Sequence, residues 1–178
     1  MIIIPAPVIA AATFPGVIVH EAAHLLFCRW FRLAVFDVCF FRFGNPAGYV
    51  VHQEPDRFAA AFCVSRGPFL VNTALCVLFC LPAVVPIVQL GSSDPLAWFF
   101  AWLGVAIGMH AFPSTQDLRN VWRMAPQAAR SGSVLAILSY PLVAVLYLAN
   151  FGRFFWLDYL WGIGVGLFAP LAILRLCA

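Results

Sequence analysis

Phe69-Leu70-Val71-Asn72-Thr73-Ala74-Leu75-Cys76-Val77-Leu78-Phe79-Cys80-Leu81-Pro82-Ala83-Val84-Val85-Pro86-Ile87-Val88-Gln89-Leu90 contains no charged side chain. A helix needs about 20 apolar residues to cross the hydrocarbon of a bilayer, and this stretch is long enough. The rest of the chain has the same texture. Of its 178 residues 64% are hydrophobic and 10% charged, with a mean hydropathy of +0.97. Soluble domains carry about 25% charged residues, so the polar surface here is too small to cover a globule in water. The length fits one active unit rather than several.

Outward from that stretch, Phe58–Leu90 reads as one apolar segment interrupted at Arg66-Gly67-Pro68. Gly91-Ser92-Ser93-Asp94-Pro95 makes a polar turn, and Leu96–Phe112 forms a short span ending at Pro113. Residues 113–132 are polar, and Val134–Phe151 and Leu157–Leu176 supply two more spans. The last carries Gly162, Gly164 and Gly166, a small face suited to close helix packing. On the other side, the apolar stretch from Ile2 to about Phe31 lacks the basic start of a secretory signal. It reads as a retained membrane helix, kinked or begun afresh at Pro15-Gly16. Between them, Phe36–Phe43 favours a strand. The turn signal Gly44-Asn45-Pro46-Ala47-Gly48 and then Tyr49-Val50-Val51-His52 complete a hairpin with a loop of about five residues. The expected fold is an all-α polytopic membrane protein of about five transmembrane helices, with a short membrane-associated β-hairpin after the first.

The net charge of +3 comes from ten arginines and no lysine, scattered singly between apolar runs. Such scatter excludes a nucleic-acid-binding surface and reads as a topology signal. With the N-terminus outside, nine arginines (29, 32, 42, 57, 66, 119, 123, 130 and 175) fall on the cytoplasmic side and only Arg153 outside, as the positive-inside rule expects. The expectation is therefore a cell-membrane protein with its C-terminus cytoplasmic. The six cysteines form no Cys-x-x-Cys pair and sit mostly in apolar stretches, as small hydrophobes do.

Within the first span stands His20-Glu21-Ala22-Ala23-His24. Histidines four apart on a helix project from one face and can hold one zinc ion together. Glu21, about 100° round the helix, can reach a metal-activated water without ligating the metal. Ionisable groups at the centre of a membrane helix cost ~2.5–3.5 kcal/mol each on insertion scales, an expensive way to pack. A catalytic zinc needs a third protein ligand and an open position. Asp94 and Asp158 fall on the wrong side of the expected topology, and Asp37, His52, Glu54 and Asp56 lie in or near the hairpin, off any helix. His110 and Asp117 remain, bracketing the break Ala111-Phe112-Pro113-Ser114-Thr115-Gln116. Asp117 is the first choice and His110 the second. The alternative role for Asp117 is to cap a helix beginning at Leu118, and that for His110 is to donate to an oxyanion or to sit in the core.

The set resembles the site-2 protease family of intramembrane zinc metalloproteases. His20-Glu21-Ala22-Ala23-His24, the hairpin Phe36–His52, Gly67-Pro68-Phe69-Leu70-Val71-Asn72 and Asp117 occur in the family's order. Histidine at 110 stands where the family has asparagine, leucine at 118 where it has glycine, and Asn72 lies one residue later than usual after Gly67. The resemblance implies a single membrane-embedded metalloprotease domain over residues 1–178, with a catalytic core over about 14–120 and additional helices at 134–151 and 157–176. It also implies zinc on His20, His24 and Asp117, Glu21 as general base, and Asn72 as a substrate-orienting group. The substrate is then a transmembrane or membrane-associated protein in the lipid bilayer. Its unwound segment adds as a strand to the hairpin edge at Tyr49, Val50 and Val51. Two rival expectations are a membrane metal transporter and a non-catalytic substrate-binding relative.

Overall fold

The computed structural model describes residues 5–152 and 155–177. Ile2–Ile4 of the first apolar stretch and Arg153, the single arginine expected outside, lie beyond those residues. Among the described residues the secondary structure is helical apart from one hairpin. Helix α1 (Ala6–Ala12) gives way at Thr13 to α2 (Phe14–Trp30), which restarts with Pro15 in its first turn. Proline is tolerated there because its missing N–H has no intrahelical acceptor. Strands β1 (Val35–Cys39) and β2 (Tyr49–His52) follow, then α3 (Phe58–Val84), a π-helical turn Val85–Gln89 and α4 (Pro95–Met109). The last three helices are α5 (Thr115–Arg130), α6 (Val134–Gly152) and α7 (Leu157–Cys177).

Three helices are long and apolar enough to cross a membrane by length and composition: Phe58–Gln89, Val134–Gly152 and Leu157–Cys177. These make the molecule a helical membrane protein. The other two expected spans are shorter, 17 residues for α2 and 15 for α4. The interruption expected at Arg66-Gly67-Pro68 does not occur, because α3 runs unbroken through Pro68.

The hairpin is antiparallel, pairing Asp37 with Val51, Val38 with Val50 and Cys39 with Tyr49, with an irregularity beside Phe36. Its first strand stops at Cys39, earlier than expected, and residues 40–48 form a longer loop. There the Arg42 N–H and Nε–H donate to the Ala47 and Pro46 carbonyls, at 2.7 and 3.0 Å. The Phe41 ring packs on Phe14 of α2, at 6.0 Å between centroids, and leaves the pairing direction. Aromatic burial against the helix therefore wins over continuation of the ladder.

Helix α3 packs against α2, α4 and α7. Gly104 and Gly108 of α4 and Gly162 and Gly166 of α7 press on Cys76 and Cys80 of α3, and a side chain at Gly162 would strike the Val105 carbonyl. Gly164, on the opposite face, meets nothing within 4 Å, as helical spacing requires of a residue two positions away. These contacts also fix direction. Cys76 lies beside Gly108 and Gly162, and Cys80 beside Gly104 and Gly166. Thus α7 runs parallel to α3 and antiparallel to α4. The expected order sent α4 and α7 the same way, and the packing corrects it: the Arg175 end of α7 lies with the Pro95 end of α4. The reason is that α6 does not carry the chain back across the bundle. It pairs with α5 as an antiparallel helical hairpin and returns to Pro113, whose carbonyl accepts from Asn150 Nδ2 at 2.9 Å.

Candidate metal centre

The first turn of α5 is built by its own sequence. Ser114 is the N-cap. Its side chain accepts from the Asp117 N–H at 3.1 Å, while Asp117 Oδ2 accepts from the Ser114 N–H at 2.8 Å and from its hydroxyl at 2.6 Å. This reciprocal capping box satisfies two helix-end donors at once. The helix thus begins at Thr115 rather than Leu118, and Asp117 closes the cap from inside it. Capping and ligation are not alternatives here, since the cap sets the direction of the carboxylate. Ser65 of α3 fixes the same turn from below, donating its hydroxyl to the Asp117 carbonyl at 3.1 Å.

On α2 the helical spacing brings the His20 and His24 rings edge to face, 4.9 Å between centroids. His20 Nδ1 lies 2.7 Å from the His110 carbonyl oxygen, so that nitrogen is the donor and Nε2 carries the free lone pair. His24 Nε2 lies 3.5 Å from Asp117 Oδ2, and His24 Nδ1 is buried without a hydrogen-bond partner. One ligand atom from each of His20, His24 and Asp117 falls within 4.8 Å of the others, forming the metal-competent group found among the described residues. Burial disfavours charge on Asp117. The hydrogen bonds from His24 and Ser114 outweigh it and hold the carboxyl below its ordinary value.

Glu21 is buried at the edge of this group. A Cβ at Gly48 would lie 2.7 Å from Glu21 Cγ and 3.0–3.1 Å from the Phe40 and Cys39 carbonyl oxygens. The hairpin loop therefore covers the glutamate, and only glycine fits at the contact. Gly48 was visible in the sequence solely as a turn residue, with nothing to tie it to position 21. Tyr49 donates its hydroxyl to Asp37 Oδ2 at 2.9 Å, which pushes the phenol up. Val50 is half-buried and Val51 exposed.

His110 contributes its carbonyl to the centre and turns its ring away, with Nε2 2.8 Å from Thr13 Oγ1. Asn72 is fully buried, and its amide donates to the Gly16 and Ile107 carbonyls at 3.2 and 3.1 Å, tying α2 to α4 through α3. Arg66, read from the sequence only as a topology signal, is buried with Nε and Nη2 unpaired and its guanidinium 5.3 Å over the Phe62 ring. No family model matches the chain, and no curated protein or solved structure matches it either.

Proposed function

We propose that the chain is a membrane-embedded zinc metallopeptidase of the site-2 protease type, hydrolysing peptide bonds of membrane-associated proteins. The observation that carries this reading is the convergence of His20, His24 and Asp117, from two separate helices, beside a buried Glu21. The donor set suits zinc. Tetrahedral coordination at ~2.0–2.2 Å sets ligand atoms roughly 3.3–3.5 Å apart; His24 Nε2 and Asp117 Oδ2 are already 3.5 Å apart, and the full set, within 4.8 Å, closes on the ion by side-chain rotation. Zinc held there supplies a Lewis acid that polarises a peptide carbonyl and makes a water acidic enough to lose its proton near pH 7.

Glu21 receives that proton and returns it to the leaving amide nitrogen. His20 holds its Nε2 toward the metal position because Nδ1 is committed to the His110 carbonyl. The hairpin loop keeps bulk water off Glu21 through the Gly48 contact. The free edge of the hairpin pairs with the unwound substrate, whose backbone groups would otherwise lack partners in lipid. Asn72 serves this reading as the tie that keeps α2 and α4 in register rather than as a substrate contact.

Four helices, α2, α3, α4 and α7, cross the bilayer in this reading. Arg29, Arg32 and Arg57 flank the triad's end of α2 and α3, which by the positive-inside rule favours the cytoplasm for that end in this reading. The test is purified Glu21→Gln protein. It retains zinc at one equivalent while cleavage of a membrane-tethered peptide reporter falls by more than about 100-fold, the scale of general-base loss. Undiminished cleavage overturns the proposal.

A further inference from the structure

Thr13, at the break between α1 and α2, and His110, at the end of α4, belong neither to the triad nor to the capping box, yet their contacts run to both. The Thr13 N–H and hydroxyl donate to the Ile9 carbonyl, at 2.9 and 2.7 Å. A threonine hydroxyl has one proton, so its oxygen is left as an acceptor. His110 Nε2 lies 2.8 Å from that oxygen and is therefore the donor. Three residues on, Gly16 leaves room for the same ring: a Cβ there would lie 2.6 Å from His110 Cδ2 and would strike the Ala106 carbonyl. Four residues further, His20 Nδ1 donates to the His110 carbonyl at 2.7 Å. Positions 13, 16 and 20 follow helical spacing, so one residue of α4 engages two turns of α2 from the side. Its ring is bonded at the start of α2 and its backbone beside a metal ligand.

The chain beyond His110 leads to the aspartate. The His110 N–H donates back to the Ile107 carbonyl at 3.2 Å and the Ala111 N–H to the Gly108 carbonyl at 3.1 Å, closing α4. Ala111, Phe112 and Pro113 are buried, and Ser114 then opens the capping box that holds Asp117. A packed connection of three residues transmits displacement rather than absorbing it, so the place of His110 decides the place of Asp117. The Asn72 amide already joins α2 to α4 at Gly16 and Ile107; His110 adds the link from that junction to a metal ligand. Building on the metallopeptidase reading, we infer that Thr13 and His110 are a positioning pair: the Thr13 hydroxyl anchors the His110 ring, and the anchored residue sets His20 against Asp117 for a shared metal. The His110 ring is then neither a ligand nor an oxyanion donor. In a membrane-embedded bundle a ring N–H without an acceptor is costly. A ring released from Thr13 turns to seek another partner, and the turn that aims its carbonyl at His20 loses its brace.

The test is metal binding by the whole chain in detergent. Zinc affinity is read by chelator competition, and ligand geometry by the visible absorption of the cobalt-loaded protein. Thr13→Val keeps the shape and removes the acceptor. It weakens zinc by about 10-fold, the low end of the range for an outer partner, and shifts the cobalt bands. Thr13→Ser restores both. His110→Phe matches Thr13→Val, while His110→Gln, which keeps a donor at Nε2, recovers most of the loss. Either pair of variants decides the matter if a member of the other fails to fold. The double variant Thr13→Val with His110→Phe is no weaker than either single one, because both break one link. Wild-type affinity and cobalt bands in Thr13→Val and His110→Phe overturn the inference, and so do additive losses in the double variant. A loss beyond ~100-fold in His110→Phe, outside the outer-partner range, assigns its ring to the metal and overturns it as well. Wild-type protein that takes up no zinc overturns the metallopeptidase reading and this inference together, which separates that failure from the others.

Discussion

The α2–α3–α4–α7 bundle and the α5–α6 hairpin are both helical and both apolar inside, yet they are held together differently. In the bundle, backbones approach over glycine and cysteine, and one buried asparagine bonds two neighbouring helices. That is packing for lipid, where small residues and polar ties replace a hydrophobic driving force between helices. In the hairpin, one face of α5 is buried in leucine, valine and alanine while the other carries arginine and glutamine, an amphipathic pattern that no helix of the bundle shares. The candidate metal centre stands on the seam. Its two histidines belong to the bundle and its aspartate to the first turn of the hairpin. Assembly of the site is thus a report on how the two regions dock.

Cutting the seam at the aspartate has the largest expected effect. Losing a partner one shell further out already costs metal affinity ~10–100-fold, so Asp117→Ala lowers zinc affinity by more than that, read as metal content after dialysis against graded chelator. Ser114→Ala is its control, because it removes the cap and leaves the ligand. It costs about 1 kcal/mol of helix stability and, by removing the hydroxyl that donates to Asp117 Oδ2, lowers zinc affinity ~10–100-fold, less than loss of the ligand itself. Equal zinc loss in both variants would mean that the cap, not coordination, explains Asp117. A smaller effect is expected where the loop meets the bundle. Gly48→Val pushes the loop off Glu21, so peptide cleavage drops by ~10–100-fold, within the range of misplaced general-base catalysis, while bound zinc is unchanged. The smallest is Arg123→Ala, which removes an exposed pair with Glu54. Such pairs contribute ~0–1 kcal/mol, so thermal unfolding in detergent moves by no more than a few degrees. A large shift would mean that this pair, rather than the apolar cluster, docks the hairpin.

Much of this arrangement was legible in the chain. Histidines four apart on a helix must share a face, so His20 and His24 needed no structure to be paired. Asp117 followed from its place beyond the Pro113 break, and Ser114-Thr115-Gln116-Asp117 already has the spacing of a capping box. Apolar run lengths located most helices to within a few residues. Direction was a different matter. Hydropathy measures how long a segment is and not what lies beside it, so α7 was pointed the same way as α4 where the packing sets the two antiparallel. The information was in the i,i+4 glycines 162 and 166 matching cysteines 76 and 80, a correspondence between distant segments that no single-window reading detects. The turn of the His110 ring toward Thr13 and the Gly48–Glu21 contact are likewise long-range packing results, invisible to spacing rules.

The capping box at the start of α5 has a kinetic side. Asp117 Oδ2 is held by two donors from Ser114 before any ion arrives, so the carboxylate has little rotamer freedom left to lose on coordination. The His20 ring is fixed in the same way by the His110 carbonyl. An ion entering such a site waits on shedding its own water rather than on the protein folding round it. An ion that leaves finds the first turn of α5 still wound for the next. Under the proposed function such a centre would load and release its metal without unfolding, unlike small zinc domains whose fold is created by the metal.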